Sequence, residues 1–383
     1  MNWPEWMRVG PLRAGTFHSD LHQERIGAWL GLALGVAFGT CFLTGLLSHL
    51  IQQPPAWFHW PSRPAGLYRI TQSLHVATGI AAIPLLLAKL WVVYPHFWTW
   101  PPLRSIAHAV ERISLFPLIS GSLFLLVSGL LNVANWYPWA FFFPRTHYWA
   151  AWITIGALVV HIAAKLPITR NALRRVREAP GPIRDGLTRR GFLTTVGAGV
   201  AAVTVATVGQ TLRPLRGVSV LGARDPQVGP QGLPVNKSAA SARVLQTARD
   251  PGYRLRVEGN VQRPLSLTID DLRSLPQTEA RLPISCVEGW SANASWRGVP
   301  VRDLLELAGA PEGASVRVES LQPRGLYRAS ELSPGHAADR HTLLATEVNG
   351  EELHIDHGYP VRLIGPNRPG VMQTKWVSRL IVR

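Results

Sequence analysis

Five stretches of the chain run for about twenty residues with almost no charged side chain: 26–50, 71–94, 113–135, 147–164 and 191–212. About twenty apolar residues are what a helix needs to cross a bilayer. Backbone groups find no water in lipid, so each stretch is expected to be helical. Trp57, Trp60, Trp91, Trp98, Trp100, Trp136 and Trp139 gather near the span ends, where interfacial aromatics sit. From about 217 the texture changes. A Pro/Gly-rich linker, ARDPQVGPQGLPVNKSA, leads into short alternating runs such as YRLRVEG, SVRVES and KWVSRLIV, which read as strands. The run VPVRDLLELAG predicts a short helix between them. The expected architecture is an all-α transmembrane four-helix bundle with a fifth anchor helix, then a mainly β (α+β) domain. Its boundaries are 1–170, a basic linker and fifth helix at 171–215, and 216–383.

Charge gives the chain an orientation. The formal net charge is +16, yet charged residues make up only 16% of the chain. Arg8, Arg13 and Arg25 precede the first span, and Lys89, Arg104 and Arg112 lie around the loop after the second. The segment 162–190 is strongly basic, whereas the loops after spans one and three carry only Arg63 and Arg69, then Arg145. Basic loops stay in the cytoplasm, so the N-terminus is expected inside and everything beyond span five outside a bacterial cytoplasmic membrane. The charge is therefore topological and argues for membrane lipid, not nucleic acid, as the partner. Thr188-Arg189-Arg190-Gly191-Phe192-Leu193 resembles a twin-arginine export signal, here placed internally. The alternative is that two arginines merely flank a helix.

Ionisable side chains inside spans are costly and point to function. His147 and His161 stand fourteen residues apart in span four, about 40° apart around the helix and about 21 Å along it. Two imidazoles on one face, one near each membrane surface, suit two stacked haems that each need a second histidine. Topology pairs His75 with His147 and His22 with His161, with His49 as an alternative to His75. Residues 18–166 are similar to the cytochrome b subunits of bacterial respiratory oxidoreductases, the formate dehydrogenase gamma and cytochrome b561-like group. That resemblance implies haem b, two per chain, and electron exchange with quinone.

The chain has only two cysteines, Cys41 in an apolar run and Cys286 in RLPISCVEGWSANASWRGVP, which excludes a disulfide framework. The run 342–376, TLLATEVNGEELHIDHGYPVRLIGPNRPGVMQTKW, carries Asn-Gly, His-Gly-x-Pro-x-Arg and Lys-Trp. Together with Cys286 and Trp296-Arg297-Gly298-Val299, it resembles the molybdopterin-binding oxidoreductases of the sulfite oxidase type over about 225–383. Molybdenum held by a dithiolene pterin takes a further soft ligand, and thiolate suits it; the resemblance gives that role to Cys286. Arg362 can grip the cofactor phosphate in forked geometry and Lys375 can add a point charge. His357 can donate to pterin or phosphate, and Gly358 allows close backbone approach. Gln373 and Thr374 fall where the family's backbone binds the cofactor. Pro360 and Trp376 read as packing residues.

The same resemblance places Tyr327 facing the metal, with a core tyrosine as the alternative, and Asn236 in the segment passing over it. Glu288, where many relatives have Gly, alters metal access or forms a surface salt bridge. Arg281, Arg297 and Arg324 could bind an oxyanion. The expectation is a membrane-bound molybdenum oxidoreductase that transfers oxygen atoms outside the membrane. Its substrate is either a sulfite-like oxyanion or an S- or N-oxide. The alternative is a non-catalytic electron-carrier or assembly protein, which would have no need of Cys286.

Overall fold

The computed structural model describes residues 19–98, 105–174, 187–222 and 224–383. Arg8, Arg13, Arg104 and the basic linker residues 175–186 lie outside the described residues. Contacts divide the chain into two compact units. One comprises Met1–Leu46, Leu74–Gly209 and Val218–Leu221, and the other Leu47–Ser73, Gln210–Gly217 and Gly222–Arg383.

The helical unit is built on α1 (Glu24–Gln52), α2 (Leu67–Phe97), α3 (Ile106–Val133), α4 (Phe143–Arg174) and α5 (Arg189–Val208). All five are long and apolar enough to cross a membrane. They expose large apolar side chains such as Leu43, Ile113, Phe116 and Trp149, as helices bathed in lipid do. Most of these helices outrun the apolar stretches by a turn or more, because polar side chains at the ends can reach water while the backbone ladder continues. Lys89 therefore lies inside α2 and not in the loop beyond it, with its ammonium donating to the Gly27 carbonyl of α1 at 2.5 Å. Lys165 of α4 pairs with Glu111 of α3 at 2.6 Å. Phe192, Leu193 and Val196 of α5 pack against Ile26, Leu30 and Val92, so the fifth helix joins the packing of α1 and α2.

Arg189 and Arg190 form the exposed first turn of α5, behind an N-cap in which Thr188 Oγ1 accepts from Gly191 N at 3.0 Å. Cations at a helix N-terminus oppose the helix dipole, so helix stability does not account for them.

The sheet unit holds ten strands. They are β1 (Leu255–Gly259), β2 (Leu265–Leu267), β3 (Thr278–Ser285), β4 (Ser291–Pro300), β5 (Val316–Ser320), β6 (Ala329–Leu332), β7 (Leu343–Val348), β8 (Glu351–Glu352), β9 (Arg362–Ile364) and β10 (Val377–Val382). One sheet runs β2-β1-β10-β5-β6, antiparallel except for the β1–β10 pair. The other runs β3-β4-β7-β8, with β9 paired to β7. The strands alternate buried and exposed side chains, as in β1 and β3, and this period of two puts one face of each on a core. One core gathers Leu255, Val257, Leu304, Val318, Leu363 and Leu380. A second gathers Leu282, Ile284, Cys286, Trp290, Trp296 and Ile364. The short helix expected after Gly298 forms over Val301–Ala308.

Candidate functional site

Cys286 begins the loop that joins the antiparallel pair β3 and β4. Its backbone N–H donates to Trp290 O at 2.9 Å, and Gly289 N donates back to Cys286 O at 3.1 Å. At the hairpin's base Ser285 Oγ and Ser291 Oγ lie 3.0 Å apart, both buried. The thiol is thus held by backbone geometry in a buried position. Burial, and then the Glu288 carboxyl, push it up to about 12. Only a positive centre would favour its thiolate here. Among the described residues no three His, Cys, Asp or Glu side chains gather as a metal cage. A metal at Cys286 must therefore bring other ligands with it.

Asn236 donates from Nδ2 to Cys286 Sγ at 2.9 Å. The carbonyl of the next residue, Lys237, accepts from Lys375 Nζ at 3.0 Å. The 236–237 segment thereby joins the thiol to a group of cations. Lys375 Nζ donates again to Asp356 O at 2.6 Å. Arg362, on β9, donates from Nη1 to His357 O at 3.0 Å and lies 5.3 Å from the Trp296 ring centre, while its buried Nε has no partner. Burial lowers Arg362 to about 10; burial, and then Arg362, hold Lys375 well below the usual lysine range. The Asp356 carboxylate offsets part of the Lys375 charge, while Arg362 is opposed only by a carbonyl and a ring face, and buried cations so weakly paired call for an anion.

His357 donates from Nε2 to Pro230 O at 2.7 Å, so it offers Nδ1, and not an ε N–H, to any ligand. Burial, followed by the Arg362 charge, brings it down to about 4 and keeps it neutral. Gly358 has φ +116°, and a Cβ there would stand 3.1 Å from Arg362 Cβ and 3.2 Å from Lys375 Cβ. Only glycine lets the backbone pass between the two cations. These residues fit a phosphate-bearing pterin: two enclosed cations, an unpaired guanidine nitrogen and a soft sulfur ligand across one short segment.

The other expected residues divide. Gln373 closes both ends of its amide on Gly365, through Oε1 at 2.8 Å and Nε2 at 3.1 Å. Thr374 Oγ1 lies 2.7 Å from Ser330 Oγ. Both side chains are occupied with the fold, as are the Gln373 N–H, which donates to Gly370 O at 3.2 Å, and the Thr374 carbonyl, which accepts from Leu363 N at 2.8 Å. Trp376 is fully buried and donates from Nε1 to Ile355 O at 2.7 Å, a packing role. Glu288 is not a surface residue: it is 6% exposed, accepts from Trp290 Nε1 at 3.1 Å, and faces Arg224 Nε at 3.7 Å. Arg281, Arg297 and Arg324 are all exposed, and Arg297 pairs with Glu347 at 2.9 Å. Tyr327, half-buried, donates from its hydroxyl to Gln52 Oε1 at 3.0 Å. Gln52, Tyr68, Gln72 and Arg224 belong to this unit, and no motif in the sequence marks them. The signal available for the first three was their polarity at span ends.

In the helical unit the His75 and His147 rings lie 6.5 Å apart between centres, at 75°. His75 Nδ1 donates to Cys41 O at 2.8 Å, and His147 Nδ1 lies 3.3 Å from Ser128 Oγ. A Cβ at Gly45 would come within 2.7 Å of His75 Cε1, so glycine makes room for the ring. His49 lies in the last turn of α1. His22 donates from Nδ1 to Val92 O at 3.1 Å and lies 4.6 Å from the Trp91 ring at a 35° tilt, while His161 Nδ1 is buried without a partner.

Comparison with known proteins bears on the family of the sheet-rich region. Residues 242–383 match the family described as oxidoreductase molybdopterin binding domain. The chain is 39% identical over 162 residues to sulfite oxidase of Gallus gallus, covering 34% of each. It is 32% identical over 130 residues to the "Putative protein-methionine-sulfoxide reductase subunit YedZ1" of Azospira oryzae, covering 34% of this chain and 48% of that one. The chain thus spans less than half the length of both relatives. It is 30% identical over 153 residues to the uncharacterized oxidoreductase YuiH of Bacillus subtilis, covering 38% of this chain and 76% of that one. A buried thiol, a cation cradle suited to a pterin phosphate, and this coverage converge: the chain belongs to the molybdopterin-binding oxidoreductases of the sulfite oxidase type.

Proposed function

We propose that the protein is a membrane-anchored molybdenum reductase of neutral S- or N-oxides, working outside the cytoplasmic membrane on electrons drawn from quinone. The observation that carries this reading is the make-up of the enclosed surroundings of Cys286. Asn236 presents an amide there, and Glu288 with Arg224 forms a pair of opposite charges. The arginines that could have held an oxyanion are exposed, one of them spent on Glu347. A sulfite-like anion leaving water needs cations beside it, whereas a neutral oxide needs only hydrogen-bonding groups. The name of the Azospira relative supports the same substrate class.

Arg362 and Lys375 would hold the cofactor's phosphate, and Cys286 would bind its metal. Bound molybdenum would supply two-electron oxygen-atom exchange. The chain's own contribution is to shield the thiol, orient the oxide through Asn236, shape its pocket with Tyr327, and keep the cradle cationic. In the net reaction the oxide takes two electrons and two protons, and its oxygen leaves as water.

The helical unit supports the electron supply. An iron bound by two imidazoles separates their centres by roughly 6 Å, given metal–nitrogen bonds of about 2 Å. The 6.5 Å between His75 and His147 fits that spacing. The Nδ1 contacts to Cys41 O and Ser128 Oγ leave Nε2 as the ligand atom on both. Haem b held there would supply single-electron transfer, and the His22 and His161 positions suit a second. The exposed pair Arg189 and Arg190 supports recognition by the twin-arginine route.

The test is purified protein assayed with a reduced viologen against a panel of S- and N-oxides, and with sulfite plus quinone. Oxide-dependent viologen oxidation is expected. Sulfite oxidation without any oxide reduction would overturn the reading.

A further inference from the structure

A run of directed hydrogen bonds leaves Tyr327 and returns next to Cys286 by way of the segment Leu47–Ser73, all inside one compact unit. Tyr327 donates to Gln52 Oε1 at 3.0 Å, and Gln52 Nε2 donates to Ser48 Oγ at 3.1 Å. Ser48 Oγ donates to Gln72 Oε1 at 3.0 Å, and Gln72 Nε2 donates to Val287 O at 2.8 Å. Val287 directly follows the metal-ligand candidate. Tyr68 Oη adds a side contact, 3.2 Å from Ser48 Oγ. Ser48, Tyr68 and Gln72 are buried at 7%, 1% and 5% exposure. Each amide uses both its ends, and Gln72 Oε1 also lies 3.4 Å from Tyr68 Oη, so Ser48 and Tyr68 share their hydroxyl protons at the middle of the run. A buried network satisfied throughout specifies one arrangement of its members.

We infer that Gln52 is a positioning residue of the catalytic pocket: it fixes the Tyr327 hydroxyl, and through Ser48 and Gln72 ties that hydroxyl to the loop bearing Cys286. The end of α1 and the start of α2 are therefore parts of the oxygen-transfer site as well as parts of membrane helices. With its proton committed to Gln52, Tyr327 is held in one orientation and acts on the pocket by position, not by donating to the oxide. Losing Gln52 frees both the proton and the ring. This rests on the reading that places substrate between Tyr327 and Cys286.

The test uses full-length protein in detergent, in four forms: unaltered, Gln52→Leu, Tyr327→Phe and the double variant. Hydrogen exchange is the first readout, and it does not need the cofactor. Tyr327→Phe, which removes one hydroxyl, is expected to speed exchange in the last turn of α1. Gln52→Leu is expected to speed it across 324–330. The second readout is oxide reduction by cofactor-loaded protein. Each single change should lower kcat/KM by roughly two- to tenfold, the worth of one hydrogen bond. The double variant should be no worse than the poorer single one. Unchanged exchange at both ends, or losses that multiply, would overturn the inference. Exchange coupling in protein that binds no molybdenum would leave the network standing and remove the molybdenum reading instead.

Discussion

The Asn236 side-chain amide lies 2.9 Å from the Cys286 sulfur, and the carbonyl of the following Lys237 accepts from Lys375. One short segment therefore sets both the hydrogen bonding at the sulfur and the position of Lys375, the cation proposed to face the cofactor. A hydrogen bond to a metal-bound thiolate lowers its electron donation and fixes its orientation. Outer-shell partners of this kind are worth about 10- to 100-fold in metal affinity or activity. Asn236→Ala is accordingly expected to lose activity on that scale while keeping the fold. Steady-state rates alongside metal content would check it, and a variant with full activity would show the contact to be incidental.

Arg362 is buried, with one unpartnered nitrogen and an aromatic face beneath it. Lysine cannot reproduce the planar fork, so Arg362→Lys should bind the pterin more weakly, and Arg362→Ala should lose it. An anion contact of this kind is worth about 2–5 kcal/mol when one partner is removed. The fold should survive in both, because Arg362 makes only a backbone hydrogen bond at His357. Pterin fluorescence after cofactor extraction measures the outcome. Equal pterin content in all three proteins would contradict the cradle.

The spacing of His75 and His147 makes a spectroscopic prediction. His147→Ala and His75→Ala should each lose b-type absorbance in the reduced-minus-oxidised difference spectrum. His49→Ala should keep it, since the ring beside His147 is that of His75. Retention of the full band in His75→Ala would break the pairing.

Stability should fall on the acid side. Burial, and then Arg368, bring His336 down to about 4, with Asp339 opposing weakly, and His357 is also brought to about 4. An unfolded histidine titrates near about 6.5. Between these values the unfolded state binds protons that the folded state refuses, so stability is complete above about 6.5 and falls toward pH 4. Each group contributes a slope of up to about 1.4 kcal/mol per pH unit in that window. Thermal midpoints measured across the window should drop with acid, and His336→Gln should flatten the fall. Identical slopes in both proteins would rule His336 out.

Much of this architecture is legible in the order of residue types alone. The spans stand out because an uninterrupted apolar run of about twenty residues has few other uses. Strands β1, β5 and β10 follow from alternation, and Cys286, Asn236, Arg362 and Lys375 are singled out through the family resemblance. What stays hidden are residues whose meaning depends on burial and partners. In sequence Glu288 is left between altering metal access and a surface salt bridge, yet it is enclosed with Trp290 and Arg224. Ser48, Gln52, Tyr68 and Gln72 read as polar residues at membrane boundaries. No local pattern announces that Gln52 meets Tyr327, 275 residues away, or that Gln72 meets Val287, 215 residues away. Arg281 and Arg297 lie on β3 and β4 and Arg324 in the turn after β5, all with exposed side chains, a placement residue type alone does not give.

The central claim is that Cys286 supplies the protein's ligand to molybdenum. Molybdenum-edge X-ray absorption on purified protein and on Cys286→Ser, with metal content measured on the same samples, tests it most directly. The account predicts molybdenum in the unaltered protein with sulfur in its first shell, and one sulfur neighbour fewer, or loss of the metal, in Cys286→Ser. Absence of molybdenum from the unaltered protein, or an unchanged sulfur shell at full occupancy in the variant, would contradict it.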